Sequence, residues 1–91
     1  MGFTKESAIE RAKTDLAARL GIGDGEIGDA VSDRDFPDMA LGAAEAGEMA
    51  AQMISSGWKI DLTAGGKAYE YRADKYQLRL YNFEGRNYVV E

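Results

Sequence analysis

Six carboxylates crowd residues 24–38: Asp24, Glu26, Asp29, Asp33, Asp35 and Asp38. Calcium takes several carboxylate oxygens from a flexible loop, and Asp33-x-Asp35 has the opening spacing of such a loop. Phe36-Pro37 then interrupts it, the sixth position carries no glycine, and Asp38 falls out of register with a calcium-binding hand. A solvated acidic loop is the simpler reading. Asp33, Asp35 and Asp38 remain the only metal candidates, and no metal site is expected.

Aromatic side chains form the second group. Trp58, Tyr69, Tyr71, Tyr76, Tyr81 and Tyr88 all lie in the C-terminal third. Two or three of them on an exposed sheet face would bind a peptide, a glycan or a partner protein, since Tyr and Trp join a large contact area to a polar handle. The competing reading is a core with its edges, because strands favour aromatics anyway. Asp38-Met39-Ala40-Leu41-Gly42-Ala43-Ala44 reads either as an exposed docking loop, pre-organised by a sheet, or as a connection tucking Met39 and Leu41 into the core. The core reading is preferred in both cases. The expected binding residues, should these surfaces be exposed, are Met39, Leu41, Tyr69, Tyr71 and Tyr81.

The inventory then excludes much. There is no histidine and no cysteine, so zinc held by thiolates or imidazoles, Ser-His-Asp chemistry and disulfides are ruled out. Proton work is left to Asp, Glu, Lys, Tyr and Arg, each needing a pKa shifted by burial. No catalytic residue and no cofactor is expected. Glycines 21, 23 and 25 lack the strand before, and the Lys-Ser/Thr after, that a phosphate loop requires. The net charge is −5. Residues 1–56 hold 5 basic and 11 acidic side chains, or −6, and residues 57–91 hold 6 and 5, or +1. An acidic chain repels phosphate backbones and anionic lipid, so neither nucleic acid nor membrane is an expected partner. No apolar run approaches the roughly 20 residues of a span. Met1–Lys5 has no signal-peptide core. The chain as it stands is expected in the cytoplasm, an exported origin being left open for a truncated chain.

These residues must be positioned by few elements. Ninety-one residues make one domain, 1–91, with one modest core. Thr4 is placed to cap a helix, Ile9, Ala12, Leu16 and Leu20 form its apolar stripe, and Gly21 stops it. Asp15 and Arg19 form an acid-first i,i+4 pair. A short strand is expected around Val31. Residues 43–55, rich in Ala, Met, Glu and Gln, favour a second short helix, with Met49, Met53 and Ile54 toward the core. A strand entering from about Met49 competes with that reading.

A hairpin follows. Trp58, Ile60 and Leu62 alternate with Lys59, Asp61 and Thr63, Ala64-Gly65-Gly66 turns, and Tyr69 and Tyr71 share a face of the return strand. Tyr76, Leu78 and Leu80 pattern a third strand, and Tyr88–Val90 a final one. Lys59, Arg72 and Arg79 share the polar face beside Asp61 and Glu70, where cross-strand ion pairs are expected. The expected fold is α+β, with the N-terminal helix packed on a three- to four-stranded antiparallel meander.

Phe36-Pro37-Asp38-Met39-Ala40-Leu41-Gly42, followed after a gap by Gly57-Trp58-Lys59-Ile60 and Tyr69-Glu70-Tyr71-Arg72-Ala73-Asp74, resembles a family of small bacterial and archaeal domains of unknown function. Members of that family often occur in exported proteins. The segment Ala12–Ile22 resembles the family's helix, so the likeness spans roughly residues 8–74. Ala43-Ala44 stands where the family has Cys-Pro, and Arg72-Ala73 replaces its His-Thr. The resemblance implies the fold and carries no activity. The sequence therefore points to a non-enzymatic protein- or peptide-binding module, inhibitor-like in one form. The alternative is a self-associating structural domain, and a carboxylate-based enzyme ranks behind both. Either a monomer or a weak homodimer is expected.

Overall fold

In the computed structural model, which describes residues 2–91, one helix lies on one face of a five-stranded antiparallel sheet. The order is α1 (Lys5–Leu20), a 3-10 turn (Asp24–Glu26), β1 (Gly28–Phe36), β2 (Ser55–Ala64), β3 (Lys67–Ala73), β4 (Leu78–Phe83) and β5 (Arg86–Val89). The strands pair in chain order, so every connection after β2 is a tight hairpin. The α+β meander is the expected one, with five strands in place of three or four.

Local chemistry sets the ends of α1. The Thr4 hydroxyl accepts from the Ser7 amide at 3.1 Å, and the Ser7 hydroxyl accepts from the Thr4 amide at 2.9 Å. This reciprocal box satisfies two otherwise orphaned donors. Gly21 closes the helix at φ +70°, a conformation that penalises any residue with a Cβ. The β2–β3 turn uses glycine in the same way, with Gly65 and Gly66 at φ +58° and +77°, as a two-residue hairpin with the right twist demands.

One cross-strand row organises the helix-facing side. Val31 lies opposite Ile60, Ile60 opposite Tyr71, Tyr71 opposite Leu80, and Leu80 opposite Tyr88. Against this face α1 turns Ala8, Ala12 and Leu16, all fully buried. Tyr71 is fully buried too, and its hydroxyl donates to the Asp15 carboxylate at 2.7 Å. The same Asp15 oxygen accepts from Arg19 Nε at 2.7 Å. The helix pair expected from spacing is thus one side of a triad that ties α1 to the sheet. Burial, and then the Asp15 bond, push the Tyr71 phenol far above its usual range.

Three expectations are corrected. The short strand around Val31 is a nine-residue edge strand. Residues 43–54 form neither a second helix nor a strand, since β2 begins only at Ser55. Tyr76 precedes β4 and is 80% exposed, because Asp74 Oδ1 accepts from the amides of Tyr76 and Gln77 at 2.8 and 3.0 Å and folds them into a turn.

The triad fixes the expected behaviour of Tyr71→Phe. The variant leaves Asp15 with one donor fewer in a largely buried site, lowering stability by about 1–3 kcal/mol in denaturant titration. A phenol whose pKa is raised by folding contributes stability below its ordinary value of 10.0, and that contribution is lost as pH rises above it. The wild type should therefore lose stability above pH 10 more steeply than Tyr71→Phe, as read from melting temperature against pH.

Candidate functional site

The face of the sheet away from α1 is cationic at its centre. Lys59 lies directly opposite Arg72, and Arg72 directly opposite Arg79. Like charges so placed repel. The expected cross-strand ion pairs do not form, because the register also sets Asp61 against Glu70. Lys59 instead pairs with Asp61, and Arg72 with Glu70, each two residues along its own strand, at 2.9 and 2.7 Å.

The rest of the compensation comes from residues 37–54, a strap that leaves β1, crosses this face and returns to β2. Arg72 Nη1 donates to the carbonyls of Leu41 and Gly42 at 2.9 and 3.2 Å. Its guanidinium stacks 3.7 Å from the Tyr81 ring centre and 5.4 Å from that of Phe36. Arg79 is buried and binds both oxygens of Glu48 at 2.6 and 2.7 Å, adding the Ala43 carbonyl at 3.3 Å. Asn87 Nδ2 donates to the Ala44 carbonyl at 2.8 Å, and the Val89 amide to Glu45 Oε2 at 2.9 Å.

Within the strap, Asp38 Oδ1 accepts from the amides of Ala40 and Gly42 at 2.9 and 3.0 Å. Leu41 and Gly42 both take positive φ, +59° and +65°. For a leucine that backbone is strained by about 1–3 kcal/mol, and the opposing term is complete burial near Phe36, Ala40 and Ala43. A side chain on Gly42 would also crowd Arg72 Nη1, 2.7 Å from its Cβ position.

This explains why Ala-rich residues 43–55 are not helical. A helix needs its own carbonyls for bonds four residues on. Here the carbonyls of Ala43 and Ala44 are taken by sheet side chains, and Gly47 sits at φ +82°. The apolar side chains beyond Gly47 then face outward. Met49, Met53 and Ile54, expected in the core, are 95%, 63% and 75% exposed, and Met39 is 43% exposed. Residues 35–58 contain four acids and no Lys or Arg, so the segment that displays these side chains is itself acidic, with Glu48 paired to Arg79.

The nominated binding residues separate. Leu41 and Tyr71 are fully buried, which removes both from any docking surface. Tyr69 is half-buried beside Phe83, ring centres 5.9 Å apart, on the α1 side. Tyr81 is half-buried under Arg72 on the other side. Both reach an open cleft of about 360 Å³ where β3 and β4 splay apart, lined also by Leu20 and Phe83. Only Met39 belongs to the exposed strap. Of the metal candidates, Asp33 pairs with Lys5 at 3.2 Å, Asp35 accepts from Ser56 at 2.8 Å and Asp38 turns the strap. Among the described residues no group of three or more carboxylates is placed to hold a metal ion, and no helix is long and apolar enough to cross a membrane.

A small α+β domain with a strapped sheet is the class that this geometry defines. The chain belongs to the DUF8738 family, a domain of unknown function, which matches residues 9–80, from within α1 to the middle of β4. No curated protein and no solved structure matches the chain.

The Arg79 bond, and then the Glu45 amide, lower the Glu48 carboxyl from 4.5 to about 2. A carboxyl depressed by folding contributes stability above its unfolded value and loses it as pH falls through the folded one. Strap anchorage should weaken between pH 4.5 and about 2. In Glu48→Gln this acid limb should flatten, while amide exchange at residues 43–48 is already faster at neutral pH. Unchanged exchange there would show that Glu48 does not hold the strap.

Proposed function

We propose that this domain is a non-enzymatic protein-binding module whose docking element is the strap surface formed by Met39, Met49, Met53 and Ile54. One observation carries the reading. Of the six large hydrophobic residues exposed among the described residues, four lie in this segment, although the strap is anchored to the sheet through three buried or half-buried side chains, Leu41, Arg72 and Arg79. Anchored apolar side chains in water mark an interaction surface. Methionine, flexible and polarisable, suits a surface that must fit a partner's irregular apolar face. The acidic setting selects a partner carrying Lys or Arg around that face. An amphipathic basic peptide segment has this chemistry.

Self-association is the second reading, and the open edge of β1 favours it. Antiparallel pairing of two β1 edges with both α1 faces on one side sets aspartate against aspartate. Centred on Val31 it opposes Asp29 to Asp33, centred on Ser32 it opposes Asp29 to Asp35, and centred on Asp33 it opposes that residue to itself. Such pairs are unfavourable, so a concentration-independent monomer in sedimentation is expected.

The docking reading is tested by NMR titration of the labelled domain with a basic amphipathic peptide and with an acidic peptide of the same apolar pattern. Shift changes should centre on residues 39–54 with the basic peptide alone. A Met49→Ser/Met53→Ser/Ile54→Ser variant should bind about tenfold more weakly or worse, equivalent to 1.4 kcal/mol, with an unchanged melting temperature, since none of the three side chains is buried. Equal binding by that variant would overturn the reading.

A further inference from the structure

The chain holds four methionines and no cysteine. Apart from Met1, all its sulfur lies in the strap, at Met39, Met49 and Met53, and none of these three is buried. Among the described residues the buried core contains no sulfur. The thioethers are therefore the soft, readily oxidised groups of the domain, gathered on the one surface proposed to dock and outside the core under α1. They are also unequal. Met49 is 95% exposed and Met53 63%. Met39 is 43% exposed, and its Sδ accepts a hydrogen bond from the Ser55 hydroxyl at 3.3 Å, which draws on the lone pair that would attack an oxidant.

We propose that Met49 and Met53 are modification sites at which a hydroperoxide switches the docking surface off. The thioether sulfur attacks the outer peroxide oxygen. The O–O bond breaks, an S–O bond forms, and the proton of the transferred oxygen passes to the departing one. Sulfur loses two electrons to become the sulfoxide, while the peroxide is reduced to an alcohol, or to water when it is hydrogen peroxide. The product is a polar, chiral group in place of a flexible apolar one. On this surface it replaces an apolar contact by an oxygen that must be desolvated before docking. Enzymatic sulfoxide reduction reverses the step. The chemical order of oxidation stands on exposure and on the Ser55 bond to Met39, whereas its effect on docking rests on the proposed function.

The test treats the full chain with hydrogen peroxide and follows each methionine by peptide mass mapping. Met49 and Met53 should gain one oxygen each before Met39 does, with the melting temperature unchanged. The doubly oxidised domain should bind the basic amphipathic peptide at least about tenfold more weakly, and methionine sulfoxide reductases should restore binding. A Met49→Leu/Met53→Leu variant, whatever its own affinity, should keep that affinity through peroxide treatment. Early oxidation of Met39, or unfolding in step with oxidation, would overturn the site assignment. Binding that persists undiminished after both sulfoxides form would overturn the switch while leaving the docking surface standing. Absence of peptide binding before any treatment would sink the docking reading and the switch with it, even with the oxidation order as expected.

Discussion

Three cations standing in one row across neighbouring strands, Lys59, Arg72 and Arg79, are the constraint around which the rest of the structure is arranged. In a bare sheet this row would be unfavourable, since directly opposed like charges repel. Acids of the same sheet relieve it only in part, because Asp61 and Glu70 form a like-charged row of their own. The remaining acceptors come from outside the sheet, as the carbonyls of Leu41, Gly42 and Ala43 and the carboxylate of Glu48. The strap that covers Arg79 must also supply its bidentate partner Glu48, because a charge buried without one costs several kcal/mol. The strap and the arginine row thus require each other.

The two faces of the sheet are consequently built on different physics. The α1 side is apolar at its centre, where one polar triad crosses it, and Lys5–Asp33 and Lys13–Asp29 ion pairs join α1 to β1 at its margin. Tyr71 reaches Asp15 from beneath, and Arg19 closes the group while lying 4.7 Å from the Tyr88 ring centre. The strap side is polar, and its apolar content is small: Phe36, Ala40, Leu41 and Ala43. Apolar burial is non-directional, whereas the bidentate Arg79–Glu48 pair and the Arg72 carbonyl bonds are directional. The first fixes where α1 lies, and the second fixes the path of an irregular segment that has no secondary structure of its own. Asn87 and Val89 of β5, beyond the matched residues 9–80, take part in that second task.

The division also decides what was legible in the sequence. Local signals sufficed for α1, whose cap residues Thr4 and Gly21 act within a turn or two of themselves, and for the hairpin, whose period-2 pattern and Gly-Gly turn are contiguous. β1 was hard to read because its only apolar residues before Phe36 are Ala30 and Val31, which are adjacent and show no alternation. An edge strand exposed on most of its surface has little alternation to display. The strap was misread for a different reason. Ala, Glu and Met favour a helix when nothing competes for their carbonyls, and here Arg79 and Asn87 compete from 36 and 43 residues away. Leu41 and Tyr71 were binding candidates only if exposed, and both are core as the preferred reading had it, since alternation shows that two side chains share a face without showing what covers it.

Anchorage of this kind bears on recognition. A partner that docks on a free loop must order it, at a cost of about 1–2 kcal/mol of backbone entropy for each residue fixed. The strap is already held at Leu41, Gly42, Ala43, Ala44, Glu45 and Glu48, and by the Met39 amide, which donates to the Ala51 carbonyl at 2.9 Å. Much of that ordering is completed on folding and is not charged to association. The side chains that do the holding point to the sheet, and those left over point to water. Met39 does both, but Met49, Met53 and Ile54 are displayed without holding the strap through their side chains, so these three can vary in chemistry without disturbing the arginine row beneath them.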